Sequence, residues 1–150
     1  MKKENIKKLI KYILVPLILG SIVGLITSFS MDEFKTLVKP PLSPPGFLFP
    51  IVWTILYILM GISHYLTKDC KECNEIYIKQ LIVNLSWSII FFTFKLRLIA
   101  FLTIIPLIYL IIKMIITFYK ENKISAYLQI PYLIWCTFAA YLNLFIYILN

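Results

Sequence analysis

The stretch KPPLSPPGFLFPIVWTILY, residues 39–57, joins two diproline steps to an apolar run that carries a tryptophan and a tyrosine. Proline has no backbone N–H donor and fixes φ, so a helix cannot continue through residues 40–45. The apolar run beyond it, residues 47–66, reaches the ~20 residues that an α-helix needs to cross ~30 Å of hydrocarbon. The stretch therefore predicts a stiff, extended connection that leads into a membrane-spanning helix.

The composition extends this prediction to the whole chain. Of its 150 residues, 61% are hydrophobic and 15% are charged, whereas soluble domains are roughly half apolar and about a quarter charged. The apolar runs are too long and too uniform for barrel strands of ~10 alternating residues. We predict an all-α membrane protein, a single domain over residues 1–150, with a long proline-rich loop between helices 1 and 2. The five predicted helices cover residues 8–29, 45–67, 76–94, 98–120 and 125–149.

The distribution of Lys and Arg predicts the orientation of the bundle. The N-terminus, the second connection and the fourth connection share about ten basic residues, against four in the first and third connections. Because cytoplasmic loops carry an excess of Lys and Arg, we expect the N-terminus in the cytoplasm. The net charge of +8 then favours anionic lipid headgroups as its partner rather than nucleic acid. A signal peptide is the alternative reading of the first apolar run, although no alanine marks a cleavage site.

Small residues recur along the first predicted helix. Gly20 and Gly24 form a GxxxG pattern, and Ser28 lies four residues further on. Such a stripe allows two helices to approach closely. It is typical of packing within one subunit or of a contact between two subunits, and the pattern does not distinguish them.

Aromatic and amide side chains share faces on three predicted helices. A spacing of three or four residues places them together on each helix, as follows: Trp53 and Tyr57; Gln80, Asn84, Trp87 and Phe91; Trp135, Ala139 and Asn143. These stripes are compatible with a cavity for a flat, partly polar ligand, but composition alone favours the structural alternative that follows. The alternative is that the amides hydrogen-bond between helices and the rings pack as core.

Other chemistry has few candidates in the sequence. Cys70 and Cys73 form a CxxC pair, which supplies two ligands where zinc takes four, so we predict no metal site. On the predicted topology the pair faces a reducing compartment, and we expect free thiols. His64, the single histidine, is more typical of an interface than of a haem ligand. No nucleophile and base are arranged for hydrolysis, and no carboxylate lies within a span to couple transport to protons.

Taken in order, motifs over nearly the whole chain resemble the tryptophan-rich sensory protein or translocator protein family, TspO/MBR, also known as the peripheral benzodiazepine receptor family. The resemblance is carried by Gly20 and Gly24; Leu37, Lys39 and Pro40; Pro44 and Pro45; Phe49, Val52, Trp53 and Thr54; Leu56 and Tyr57; Met60 and Gly61; Gln80, Leu81 and Asn84; Trp87, Ser88, Phe91 and Phe92; and Pro131, Tyr132, Leu133, Trp135, Phe138, Ala139, Leu142 and Asn143.

The resemblance implies a homodimer in the bacterial cell membrane that binds porphyrins, such as protoporphyrin IX and haem, and aromatic drug-like compounds, with no cofactor required. The implied pocket residues are Trp53, Tyr57, Asn84, Trp87, Trp135, Ala139 and Asn143. The implied lid over the pocket is formed by Pro40, Pro41, Leu42, Pro44 and Pro45. Some family members degrade porphyrin in light, which would make Trp53 and Trp135 catalytic here. A tetrapyrrole transporter and a scaffold without a ligand are the further alternatives.

Two positions depart from the family pattern. Leu42 replaces the tryptophan of the proline-rich segment, and Glu33-Phe34 replaces the usual Trp-Tyr pair. Losing a ring from the lid removes a stacking surface, so we expect weaker porphyrin binding or a shifted ligand preference. No basic residue follows Lys123, so the cholesterol-recognition pattern of animal members is missing.

Overall fold

The computed structural model describes residues 2–150, which form helices and connections with no strand. The helices are α1 Lys3–Ser28, α2 Met31–Thr36, α3 Leu48–Leu66, α4 Lys71–Ser88 with a π-helical turn Ile89–Thr93 at its end, α5 Arg97–Glu121, α6 Lys123–Leu128 and α7 Ile130–Leu149. Five segments are long and apolar enough to cross a membrane: α1, α3, α4 with its π turn, α5, and α6 with α7. The predicted all-α bundle of five spans is confirmed.

The five spans form a ring. α1 packs on α3, α3 reaches the last span through α6, α7 packs on α5, α5 packs on α4, and α4 returns to α1. The connectivity places the N-terminus and the α3–α4 and α5–α6 connections at one end, here called the lysine-rich end. α2, the proline-rich connection and the end of α7 lie at the opposite end. α1 is the most peripheral span. In its apolar stretch, 6% of the residues are buried inside the protein, against 28–39% in the other four spans.

α5 supplies the centre of the core. Its inward residues recur every three or four positions and are fully buried: Ala100, Ile104, Leu107, Ile111, Met114 and Phe118. This spacing puts them on one face of the helix. The opposite face remains exposed, as the 63% exposure of Tyr109 shows. α5 therefore packs against α4, α6 and α7 along a single apolar seam.

Three helix starts differ from the prediction. α1 begins at Lys3 rather than at residue 8. α3 begins at Leu48 rather than at residue 45, because the Ser43 hydroxyl donates to the Pro40 carbonyl at 2.9 Å and does not cap the helix. α4 begins at Lys71 rather than at residue 76. The Cys70 sulfur accepts the Cys73 N–H at 3.1 Å, and this cap allows the helix to start within the charged connection.

The last span is divided, and the first connection contains a helix that we did not predict. α6 ends at Leu128 and α7 begins at Ile130. Pro131 lies in the first turn of α7, where its missing N–H costs little. In the first connection, α2 is only six residues long. So short a helix leaves almost no periodic signal in the sequence.

Two glycines allow α1 and α3 to approach closely. A Cβ on Gly61 would overlap the backbone of Ile13 and lie 2.6 Å from the Tyr12 carbonyl oxygen. A Cβ on Gly20 would overlap the Tyr57 ring. Gly24 differs, because a Cβ there would meet no atom within 4 Å. The GxxxG pattern thus provides one packing contact within the chain, at Gly20, and one open position.

We predict that Gly61→Ala destabilises the bundle. The added methyl meets backbone atoms, which cannot rotate away, so α1 must shift at a cost of about 1–3 kcal/mol. The midpoint of thermal unfolding in detergent micelles measures this loss. Gly24→Ala is the matched control, because it adds the same methyl to open space. Equal midpoints for the two variants would contradict the close contact at Gly61.

Candidate functional site

A cavity of about 780 Å³ lies between α1 and α3 beneath α2. Its volume falls in the range of ~300–1,000 Å³ typical of small-molecule sites. The lining residues are Leu17, Gly20, Ser21, Val23, Gly24, Leu25, Thr27 and Ser28 of α1; Met31 and Lys35 of α2; Gly46, Phe47, Phe49, Pro50, Trp53, Thr54 and Tyr57 at the start of α3; and Ser88 and Phe92 of α4 and its π turn. The cavity therefore occupies the half of the bundle where Gly24 leaves α1 and α3 apart.

Stacked aromatic rings form the inner wall of the cavity. Trp53 stacks on Tyr57 with ring centroids 5.6 Å apart and planes 29° apart. Trp53 also packs against Trp87, which lies deeper in the bundle, with ring centroids 6.4 Å apart. Such rings offer a flat ligand a large apolar face with little loss of side-chain entropy.

The π turn at the end of α4 shapes the same wall. The Phe94 N–H donates to the Ile89 carbonyl five residues earlier, at 3.0 Å. A π turn holds one more residue than an α-helical turn and commonly marks functional sites. This extra residue changes which side chains face inward. Phe92, within the turn, lines the cavity.

Most hydroxyl groups in the cavity wall already have partners, and Ser88 is the exception among the described residues. Four of them donate to a carbonyl three or four residues earlier in their own helix, at 2.6–3.1 Å: Ser21, Thr27, Ser28 and Thr54. Hydroxyls bonded in this way leave the wall few donors for a ligand. The wall is therefore less polar than its sequence indicates.

A chain of buried hydrogen bonds runs from the cavity wall across the bundle. The Tyr57 hydroxyl donates to Asn84 Oδ1 at 2.8 Å, and Asn84 Nδ2 donates to the Tyr132 hydroxyl at 3.0 Å. Tyr132 then donates to Gln80 Oε1 at 2.7 Å. These bonds join α3, α4 and α7. Both the oxygen and the nitrogen of the Asn84 side-chain amide are therefore bonded to neighbouring helices.

A second buried link joins α4, α7 and α5. Trp87 Nε1 donates to Asn143 Oδ1 at 3.0 Å, and Asn143 Nδ2 donates to the Arg97 carbonyl at 2.8 Å. Ala139 is buried one turn earlier on α7. Like Asn84, these predicted site residues lie in the interior and do not line the cavity. Of the seven implied pocket residues, Trp53 and Tyr57 line it, and the ligand-binding role of the others stays a prediction.

Trp135 lies beside the cavity without lining it. Phe49, which lines the cavity, packs edge-on against the Trp135 ring at 5.9 Å. The Trp135 Nε1–H is buried and has no hydrogen-bond partner within residues 2–150. Buried indole N–H groups usually find a partner. Among the described residues, Trp135 is therefore the implied pocket residue with a buried donor that has no partner.

The proline-rich connection, residues 37–47 and here called the strap, is fastened to the end of α7. The Val38 N–H donates to Asn150 Oδ1 at 3.0 Å, and Asn150 Nδ2 donates to the Val38 carbonyl at 2.9 Å. The Tyr141 hydroxyl donates to the Pro41 carbonyl at 2.9 Å. The strap thus spans the bundle from α2 to α7 before it returns to α3.

The five implied lid residues do not reach the cavity. Pro40 is buried, Pro44 is half-buried, and Pro41, Leu42 and Pro45 are exposed. Leu42 is 83% exposed and has a φ of 70°, a region that disfavours residues with a Cβ. The roof is formed instead by α2 and by Gly46 and Phe47 at the end of the strap. Whether the strap acts as a lid stays a prediction.

α2 is anchored by Glu33 and Phe34, which replace the usual Trp-Tyr pair of the family. Arg97 Nη2 donates to Glu33 Oε2 at 2.8 Å, in a pair whose side chains are 12% and 33% exposed. Phe34 is buried among the rings of Phe49, Phe91 and Phe92, with centroids 5.3–6.1 Å away. The sequence contained both anchors, but their partners lie far along the chain.

The cysteine pair and the histidine lie at the lysine-rich end. Cys70 and Cys73 are joined as a disulfide, so the prediction of free thiols is wrong. The first turn of α4 brings their Cα atoms to 5.2 Å, within the range that a disulfide spans. His64 stacks on Tyr77 at 3.8 Å, and its Nε2 hydrogen-bonds Asn74 Oδ1 at 2.7 Å. None of these groups lines the cavity.

Comparison with known proteins identifies the family of this chain. The profile of the TspO/MBR family matches residues 12–149. The chain belongs to the TspO/MBR family. It is 39% identical to the tryptophan-rich protein TspO of Chlorobaculum tepidum over 78% of both chains. It is 38% identical to that of Archaeoglobus fulgidus over 97% of this chain and 99% of the relative.

The TspO/MBR relatives extend to animals. The translocator protein of Ovis aries is 29% identical over 73% of this chain and 70% of its own length. The match to the family covers all five spans and the strap. In this TspO/MBR chain, sequence reasoning missed Met31 and Lys35 of α2 and Phe92 of the π turn as cavity residues. The aromatic character of residues 91–94 was the only available signal for the last of these.

We predict that Tyr57 and Asn84 are energetically coupled. Asn84→Ala removes the partner of two tyrosine hydroxyls and should cost about 1–3 kcal/mol. Tyr57→Phe should cost less, and the double variant should lose less than the sum. The coupling should be about 0.6–1.7 kcal/mol, the range for hydrogen bonds between membrane helices. A double-mutant cycle on unfolding free energy measures it.

The control cycle pairs Asn84→Ala with Tyr109→Phe. Tyr109 is exposed on α5, so its coupling to Asn84 should be near zero. Equal coupling in the two cycles would show that the Tyr57 hydroxyl does not depend on Asn84.

Proposed function

We propose that this protein is a membrane receptor that binds porphyrins, such as protoporphyrin IX and haem, and flat aromatic compounds in the cavity between α1 and α3. The observation that supports this most directly is the cavity of about 780 Å³ walled by Trp53, Tyr57, Phe49 and Phe92. A planar ring system can stack on such a wall and exclude lipid from it.

Family membership supports the same class of function. One relative, from Cereibacter sphaeroides, is named a tryptophan-rich sensory protein, and that of Ovis aries is named a translocator protein. We propose the sensory role, because a chain of buried polar side chains is hydrogen-bonded across the bundle below the cavity. The chain Tyr57–Asn84–Tyr132–Gln80 closes the interior below the cavity. A bound ligand would therefore stay on one side of it.

The ligand is proposed to bind by stacking rather than by a bond to iron. His64 packs on Tyr77 at the lysine-rich end, and the cavity is lined by no histidine or cysteine. Free-base and iron porphyrins should therefore bind alike. No cofactor is required for binding of this kind.

We also propose a homodimer in the bacterial cell membrane with the N-terminus in the cytoplasm. The lysine-rich end would then face the cytoplasm, as the excess of Lys and Arg favours. The Cys70–Cys73 disulfide at this end opposes that orientation, because disulfides are rare in reducing compartments. α1 is the span that offers a partner the most uncovered apolar surface.

We predict that Gly24→Leu abolishes tight porphyrin binding while the fold persists. The leucine side chain projects into the cavity, where a Cβ meets no atom within 4 Å. A ligand must then overlap it at a cost of about 1–3 kcal/mol, which is about 5- to 150-fold in affinity. Titration of the purified protein with protoporphyrin IX, followed by quenching of tryptophan emission, measures the change.

Gly24→Ala is the control for this experiment and should bind like the parent. Trp53→Phe should remove more of the quenching than Trp135→Phe, because only Trp53 lines the cavity. Unsaturable quenching, equal to partition into protein-free micelles, would contradict the proposed function.

We predict the orientation from accessibility to a membrane-impermeant maleimide. In a chain with Cys70→Ser and Cys73→Ser, intact cells should label Thr36→Cys on α2 and leave Lys71→Cys unlabelled. Both positions are exposed, so burial does not decide the result. Labelling of Lys71→Cys alone would reverse the proposed topology.

A further inference from the structure

We propose that Lys35 selects ligands that carry an ionised carboxylate and orients them with that group at the mouth of the cavity. This inference rests on the proposed function, because it concerns the same cavity. Within residues 2–150, Lys35 is the only charged residue that lines it. The implied pocket and lid residues include no charged side chain, so the resemblance does not point to this residue.

Lys35 is held only weakly by its own neighbour. Its Nζ lies 3.3 Å from Asp32 Oδ1, in a pair whose side chains are 70% and 98% exposed. Exposed pairs of this kind contribute little to stability. A lysine on a flexible stem can turn from Asp32 toward a ligand at small cost.

The other charges near the roof are already engaged. Glu33 is paired with Arg97 at 2.8 Å and does not line the cavity. Lys39 Nζ donates to the carbonyls of Lys35 and Leu37 and lies 4.8 Å from the Phe34 ring centroid. Lys35 is therefore the cation that a ligand in the cavity meets.

The rest of the cavity disfavours a charged group. The hydroxyls of Ser21, Thr27, Ser28 and Thr54 donate to their own helices. Apart from the neutral hydroxyl of Ser88, the remaining wall is largely aliphatic and aromatic. Burying a carboxylate against such a wall without a partner is costly. The carboxylate must therefore lie at the roof, beside Lys35.

The position of α2 in the fold matches this arrangement. α2 follows the end of α1, so Lys35 lies near the level where hydrocarbon gives way to water. The deeper part of the cavity, at Gly20 and Tyr57, lies at membrane depth. The cavity thus favours an amphiphilic ligand with a flat apolar body and an acidic edge.

The test compares protoporphyrin IX with its dimethyl ester, which has the same ring and no ionised carboxylate. The parent should bind the acid about two- to fivefold more tightly than the ester, the range expected for one exposed ion pair. Lys35→Gln should lose this preference by weakening binding of the acid alone. Lys35→Arg should keep it.

Lys95→Gln is the matched control. It removes one positive charge at the same end of the bundle from an exposed residue that does not line the cavity. It should leave the preference for the acid unchanged. An equal loss in Lys95→Gln would assign the preference to the charge of the surface and overturn the inference.

The two proposals fail in different ways. If acid and ester bind saturably and equally to the parent and to Lys35→Gln, the inference about Lys35 is wrong and the proposed function stands. If neither compound binds saturably, both proposals are wrong.

Discussion

The hydrogen bond from Tyr57 to Asn84 fixes a ring on which two other features depend. One face of the Tyr57 ring lies against Gly20, so it sets how closely α1 can approach α3. Trp53 stacks on the same ring and forms the inner wall of the cavity. If the Tyr57 hydroxyl lost its partner in the membrane interior, the ring could turn. The contact with α1 and the wall would then change together.

The fold could be predicted because its signal is length and composition. Each span is a long apolar run, and hydrocarbon thickness alone decides that it crosses the membrane. The pairing of Asn84 and Asn143 with aromatic partners could be predicted in part, since a polar group at that depth requires one. The sequence did not distinguish a partner in the protein from a partner in a ligand. The structure gives both asparagines protein partners.

The location of the cavity could not be predicted, because it depends on where two helices fail to touch. Gly20 and Gly24 look alike in the sequence, yet one contacts Tyr57 and the other meets open space. The difference comes from the opposing residues on α3. The same holds for α2, whose position depends on the ion pair of Glu33 with Arg97. These residues lie 64 positions apart, so no local pattern links them.

The hydroxyls bonded within α1 have a consequence for the protein without its ligand. Because these groups are satisfied by their own helix, a hydrocarbon tail from the surrounding bilayer can occupy the cavity without leaving the hydroxyls of α1 unpaired. Ligand uptake is then an exchange against acyl chains rather than against water. The apparent affinity will accordingly depend on the chain length and saturation of the host lipid or detergent.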